Sequence, residues 1–379
     1  METLLKIKQS IDLLSILELS EIENYLALII KLKTDKVNEI EIKKQIILEE
    51  EIKIKTIKHD ITNCPFCNST KIICSGYYKD YQRFKCNPCK RTFTSNNGNV
   101  FHYLKNKDKF IEYIKLFFED SYLTIKEIAL KIGISIETSF QWRHRILISL
   151  KSESPLFSGI TELDDVWFLY SQKGRKGLKY SRKRGGSKRQ GDNNFQAKII
   201  IAKQRKSNLD MSLVRIGRIT KEDLERKYST KFTKDAILVS DKHASISSFA
   251  KSENIIHETF KAKEHVKDKL IHVQTVNNYA CQLKSIINFK FKGVSTKYLQ
   301  NYATWFSIKE KFKNIKDKTL NIIDLISKNK LGWDLYTNIE KLYENFILKY
   351  SVRTYRCGTK KKWKNQNWNF DRTKSGVFI

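Results

Sequence analysis

Three oxygen-bearing side chains stand where a chain could gather them around a metal ion. Asp164 lies in Glu162-Leu163-Asp164-Asp165, Asp241 closes Ile237-Leu238-Val239-Ser240-Asp241, and Asn277 ends His272-Val273-Gln274-Thr275-Val276-Asn277. Each carboxylate ends or follows an apolar stretch that reads as a strand, and Asn277 opens a helical stretch. Hard divalent cations such as Mg²⁺ take oxygen ligands, and few protein ligands suffice when phosphates and water fill the rest. Two such ions clamp the attacking and leaving oxygens of an in-line displacement at phosphorus. Side chains alternate along a strand, so Glu162 and Asp164 share one face and Asp165 points away. That makes Glu162 the nearest candidate for a further negative charge. His243 and His272 flank the trio and read as hydrogen-bonding or structural residues rather than ligands. Pairs of Asp are common in a chain of 379 residues, so the trio gains weight only from what surrounds it.

A second cluster is more specific. Cys64-Pro65-Phe66-Cys67 and Cys86-Asn87-Pro88-Cys89 are separated by 18 residues. Zn²⁺ wants four ligands in a tetrahedron, and each C-x-x-C turn supplies two thiolates. The aromatic residues between them suit a short hairpin, so Cys64, Cys67, Cys86 and Cys89 read as a zinc ribbon. Four thiolates leave no open position, which makes this zinc structural. The chain has seven cysteines, an odd number that argues for metal over a disulfide framework. A redox pair of C-x-x-C motifs is the competing reading, and Cys74 reads as a structural thiol.

Charge points to a polyanion. Lys and Arg number 72 against 41 acids, a net +31, which fits nucleic acid best. Residues 171–190 hold nine Lys or Arg and no acid. Glycines make this stretch a loop, and Lys173, Arg175, Lys176, Arg182, Lys183 and Arg184 are placed to hold a DNA backbone beside the Asp164 strand. Upstream, Thr124 and Glu127 form a capping-box pattern, Gly133 permits a turn and Ser135 caps a second helix. This is a helix-turn-helix pattern, with Glu137, Thr138, Ser139, Gln141, Arg143 and His144 expected to face outward toward base edges or phosphates. No apolar run reaches the roughly 18 residues of a membrane span, and no signal-peptide pattern opens the chain. The expectation is a cytoplasmic, nucleoid-associated bacterial protein with no membrane partner.

The elements that must position these groups are strands near 162–169, 196–203, 211–216 and 236–240, with helices near 220–228, 244–251 and 277–289. The chain divides into a helical N-terminal region (1–58), the zinc ribbon (59–100), the helix-turn-helix region (101–155), an α/β catalytic region (156–310) and a basic C-terminal extension (311–379).

Taken together, these residues resemble the zinc-ribbon insertion-sequence transposases of family 1595, with their ISXO2-like catalytic domain. The motifs that carry the resemblance are the four ribbon cysteines, Glu162-Leu163-Asp164-Asp165, Arg182-Lys183-Arg184-Gly185-Gly186, Asp241 and His272-Val273-Gln274-Thr275-Val276-Asn277. Gln282-Leu283-Lys284 and Gly293-Val294-Ser295-Thr296-Lys297-Tyr298-Leu299 extend it. The resemblance covers roughly residues 60–310. It implies an α/β, ribonuclease-H-like catalytic domain and Mg²⁺ or Mn²⁺ held by Asp164, Asp241 and Asn277. It also implies strand cleavage and transfer at the terminal inverted repeats of a mobile element, by a homo-oligomer acting on double-stranded DNA. Many such enzymes carry Glu as the third ligand, and Asn277 matches the subgroup with Asn. Asp165 stands where Glu is common. Two other readings compete: an inactive, transposase-derived DNA-binding regulator, and a basic RNA-binding protein.

Overall fold

The computed structural model describes residues 15, 18–35, 61–78, 81–119, 122–150, 155–176, 191–260, 271–315 and 318–351. The chain forms two compact units, residues 1–60 and 61–379. In the first, helix α1 spans 18–35. Ser15 starts it, donating its backbone N–H and its hydroxyl to Glu18 Oε2 at 2.9 and 2.7 Å.

The second unit opens with a three-stranded antiparallel sheet, β1 (Ile72–Tyr78), β2 (Tyr81–Cys86) and β3 (Thr92–Thr94). Phe84 and Phe93 face each other across β2 and β3 and stack at 5.9 Å. They give this small sheet an apolar centre beside Cys64 and Cys86.

Three helices follow: α2 (Lys107–Phe118), α3 (Ile125–Ile132) and α4 (Ile136–Ser149). The expected caps are present. Thr124 and Glu127 close a reciprocal capping box, Gly133 ends α3 with φ +67°, and Ser135 Oγ accepts from Thr138 N at 3.0 Å. The outward face of α4 is a correction to the sequence reading. Ser139, Arg143 and His144 are buried, and only Ile136, Glu137, Phe140 and Gln141 of the first turns are exposed. Arg143 Nε donates to Tyr113 Oη at 3.2 Å and its Nη2 to the Leu123 carbonyl at 2.8 Å, with the guanidinium 4.8 Å over the Phe117 ring. His144 stacks on Tyr298 at 3.7 Å.

The larger sheet contains β4 (Ile160–Leu169), β5 (Gln196–Gln204), β6 (Leu209–Ile216), β7 (Ile237–Asp241) and β8 (Ile256–Phe260) in the order β6-β5-β4-β7-β8. β5 runs antiparallel to both β4 and β6, whereas β4, β7 and β8 are mutually parallel. The fold class is therefore mixed α/β, as expected, although β8 was not foreseen. One face carries Leu163, Ile200, Ala202 and Leu238. It packs against Leu224 and Tyr228 of α5 (Lys221–Tyr228) and Ile246 and Phe249 of α6 (Ala244–Ser252). Over the opposite face lies α7 (Gln274–Lys284), which continues into a π-helical turn at Ser285–Lys290. Helix α8 (Thr296–Lys311) runs along the edge strand β6. There Gln300 accepts from Leu213 N at 2.6 Å and donates to the Met211 carbonyl at 3.1 Å. One side chain thus satisfies two edge groups that would otherwise invite another strand.

Residues 318–351 are not simply a tail. Helices α9 (Lys318–Lys328), α10 (Gly332–Thr337) and α11 (Ile339–Tyr350) pack back on α2, α4 and β6. Trp333 N donates to the Gly98 carbonyl at 2.8 Å, and Asn329 Nδ2 to the Ser149 carbonyl at 3.2 Å. Gly98 sits at φ +82°, and a Cβ there would lie 2.2 Å from the Lys330 carbonyl oxygen. Only glycine fits that contact.

Candidate catalytic site and its surroundings

The sheet register sets the two carboxylates side by side. β4 and β7 pair in parallel as Ile160 with Ile237, Thr161 with Leu238 and Glu162 with Val239. The same offset carried two residues further sets Asp164 beside Asp241, on strands about 4.8 Å apart. Both lie on the face covered by α7. Asp165 lies on the other face, where its Oδ2 accepts from Lys198 Nζ at 2.8 Å. Burial, then the Asp165 and Asp241 carboxylates, push Asp164 up to about 7, against the pull of the Asp165 N–H at 2.7 Å and of Lys198. Asp164 and Asp241 are both half-buried, and neighbouring carboxylates that raise one another's proton affinity are eased by a cation; an oxygen donor set of this kind fits a hard divalent ion. Asp241 also accepts from the backbone N–H of His243 at 3.1 Å.

Asn277 enters from α7. Its backbone N–H makes the first full helical bond, to the Val273 carbonyl at 3.0 Å. Residues four apart share a helix face, so Asn277 stands one turn above Val273. Val273 in turn packs against Val239 of β7 and Phe260 of β8. The helix start is fixed to the sheet by Glu162, which is fully buried. Glu162 Oε2 accepts from Thr275 N at 2.9 Å and Val276 N at 3.1 Å, and its Oε1 from Thr275 Oγ1 at 2.8 Å and Arg205 Nε at 3.3 Å. His272 Nδ1 lies 3.4 Å from Oε1 without hydrogen-bond geometry. The expectation that Glu162 offers a further charge to a metal is therefore corrected, since its oxygens already hold the helix.

The basic loop is fastened at both ends. At its start, Lys173 Nζ donates to the carbonyls of Phe291, Lys292 and Gly293 at 2.8, 3.1 and 2.7 Å. Ser171 and Thr296 exchange bonds, Ser171 N to Thr296 Oγ1 and Thr296 N to the Ser171 carbonyl, each at 2.8 Å. After it, Lys198 joins Asp192 at 2.6 Å as well as Asp165. An ammonium has three donors, and those of the exposed Lys173 are committed to carbonyls, so Lys173 caps a helix end and has no donor left for a phosphate. Arg143 is likewise removed from the DNA-contacting set by its burial. Arg175 and Lys176 are exposed, while Arg182, Lys183 and Arg184 lie outside the described residues. The linking role of Lys198 escaped the sequence reading; its signal is a lone lysine among the apolar residues of Gln196-Ala197-Lys198-Ile199-Ile200-Ile201.

At the ribbon, the sulfurs of Cys64, Cys67, Cys86 and Cys89 all lie within 4.8 Å of one another. Cys64 and Cys89 are 3.6 Å apart, and Cys67 and Cys86 are 3.5 Å apart. A tetrahedron of thiolates at the Zn–S distance spaces its sulfurs by about 3.8 Å, so the four fit zinc. Asn68 and Lys90 take positive φ, 57° and 59°, immediately after each pair. The Asn68 N–H donates to the Cys64 carbonyl at 2.9 Å and closes the turn around the first pair. Cys74 is exposed and outside the cluster.

A five-stranded mixed sheet with carboxylates on two neighbouring strands and a helix-borne Asn defines a candidate metal-dependent α/β domain. Residues 156–310 match the family described as ISXO2-like transposase domain. A protein of Halobacterium salinarum, described as an uncharacterized protein in transposable element ISH50, is 30% identical over 131 residues. That match covers 33% of this chain and 43% of the relative, so the chain spans less than half of the relative's length. Among solved structures, a pre-cleavage Mos1 transpososome overlaps 60% of this chain and 77% of its own at 13% identity, with a TM-score of 0.22. The Mos1 strand transfer complex overlaps 60% and 76% at 12% identity, also with a TM-score of 0.22. Overlap at that level is too weak to define a shared fold. No helix among the described residues is long and apolar enough to cross a membrane.

Proposed function

We propose that the protein is a DNA transposase that cleaves and transfers strands at the terminal inverted repeats of an insertion sequence. The observation that carries this reading is the alignment of Asp164 with Asp241 inside a segment that matches the transposase domain family. The mixed sheet, with its central strand β4 antiparallel to one neighbour and parallel to the other, supports a ribonuclease-H-like catalytic domain over 156–310.

Asp164, Asp241 and Asn277 would hold Mg²⁺ or Mn²⁺. When bound, such ions activate an attacking oxygen and offset charge on the leaving one. The chain itself supplies the rest. β4 and β7 hold the two carboxylates side by side, α7 would bring the neutral amide oxygen, and Lys198, paired with Asp165 on the other face, offsets part of its charge. Arg175 and Lys176, with Arg182, Lys183 and Arg184, would hold the phosphate backbone. The ribbon and the exposed start of α4 would read the element end, with Glu137 and Gln141 as the residues placed to reach base edges. The active species would be a homo-oligomer on paired ends.

Strand cleavage of a labelled terminal repeat tests this. Asp164→Ala and Asp241→Ala should abolish Mg²⁺-dependent cleavage and leave DNA binding intact, and Asn277→Ala should do the same. Asn277→Asp should keep part of the activity, because an oxygen of the same reach remains. DNA binding without cleavage by the wild-type protein under any divalent metal would instead support a DNA-binding regulator.

A further inference from the structure

We infer that Glu162 is a positioning residue for the metal site, setting the place of Asn277 relative to Asp164 by gripping the first turn of α7. This rests on the proposed reading of the trio as metal ligands.

The geometry makes the linkage short. Glu162 sits two residues before Asp164 on the same strand and face, and in register with Val239, two residues before Asp241. Its carboxylate receives the backbone N–H groups of Thr275 and Val276, which directly precede Asn277. The first N–H groups of a helix have no partner within it and carry the positive end of its dipole. A buried carboxylate is therefore strongly held there, and Arg205 and the Thr275 hydroxyl add two further donors. One rigid side chain thus joins the strand that presents Asp164 to the helix that presents Asn277. Val273 against Val239 supplies the matching apolar contact to the strand of Asp241. The three ligands come from three elements, and Glu162 ties two of them where they converge.

Mn²⁺ binding to the full-length protein, followed by electron paramagnetic resonance, tests this alongside cleavage and thermal unfolding. Glu162→Gln keeps the size and removes the charge. It should weaken Mn²⁺ binding by about tenfold or more, as loss of a group that orients a ligand does, with DNA affinity unchanged and cleavage partly recovered at high Mn²⁺. Thr275→Val removes only the hydroxyl donor and should weaken Mn²⁺ binding in the same direction by less. If Glu162→Gln does not fold, Thr275→Val decides, and wild-type Mn²⁺ affinity in that variant overturns the inference. A lowered melting temperature in folded Glu162→Gln with unchanged Mn²⁺ affinity also overturns it, leaving Glu162 a purely structural cap. Asp164→Asn separates the two levels. If that variant binds Mn²⁺ and cleaves like the wild type, the reading of the trio fails. If it loses both while Glu162→Gln keeps both, only the role of Glu162 fails.

Discussion

Asp164 and Asp241 each stand two residues beyond the last paired residues of neighbouring parallel strands, Glu162 and Val239, and on the same face of the sheet, and Asp241 helps to keep Asp164 protonated up to about 7. A carboxyl that binds its proton more tightly when folded than when unfolded costs stability once it ionises. The cost is absent below the unfolded value of about 4 and complete above about 7.

That sign leads to a thermal test. With zinc retained and Mg²⁺ withheld, Asp164→Asn should raise the melting temperature by a few degrees above pH 7 and leave it unchanged near pH 4. His144 acts oppositely in the same window. Burial, then Arg143 and Lys297, hold it down to about 3, so its contribution to stability is lost as pH falls below the unfolded value. The informative quantity is therefore the difference between variant and wild type at each pH. Added Mg²⁺ should shrink that difference or reverse its sign.

Elemental analysis should find one Zn²⁺ per chain, and Cys64→Ser or Cys89→Ser should lower that content. Metal binding and folding are coupled in such small modules, so chelation should unfold β1 to β3 and expose Phe93, seen as protease cleavage within residues 61–95. Unchanged zinc content in both variants would exclude the four-cysteine site.

Arg143→Leu should cost about 1–3 kcal/mol of stability in denaturant unfolding, because it leaves the Leu123 carbonyl without its buried donor, while the Tyr113 hydroxyl keeps Ser139. DNA affinity of the folded variant should match the wild type. A large loss of affinity with unchanged stability would restore Arg143 to the DNA-contacting set.

The two kinds of basic residue at the loop should separate by salt. Replacing Arg175 and Lys176 together with Ala should reduce the slope of log affinity against log salt, by about 0.9 for each phosphate that is no longer neutralised. Lys173→Ala should instead lower the melting temperature, since three carbonyls at the end of the π-helical turn lose their donor, and should leave the slope nearly unchanged.

Local rules made part of this protein legible in its sequence. The two C-x-x-C pairs draw on backbone turns within a few residues, so their convergence on a common point follows from spacing. The capping box at Thr124 and Glu127 and the turn at Gly133 are local for the same reason. Strand alternation also separated Asp164 from Asp165, because the period of two holds in any sheet. Tertiary structure decided everything that depends on which surface meets another. The pattern around Arg143 and His144 reads as an outward helix face until α2 and α8 close over it. Lys173 stands as one more charge in a basic loop until the chain at Phe291 to Gly293 arrives beneath it. Glu162 reads as a spare ligand until the first turn of α7 takes its oxygens. Helices α9 to α11 lie in a lysine-rich stretch whose buried partners stand some two hundred residues earlier. Periodicity records which residues are apolar; it does not record which distant element covers them, and burial turned three of these charged or polar side chains from candidate contacts into parts of the scaffold.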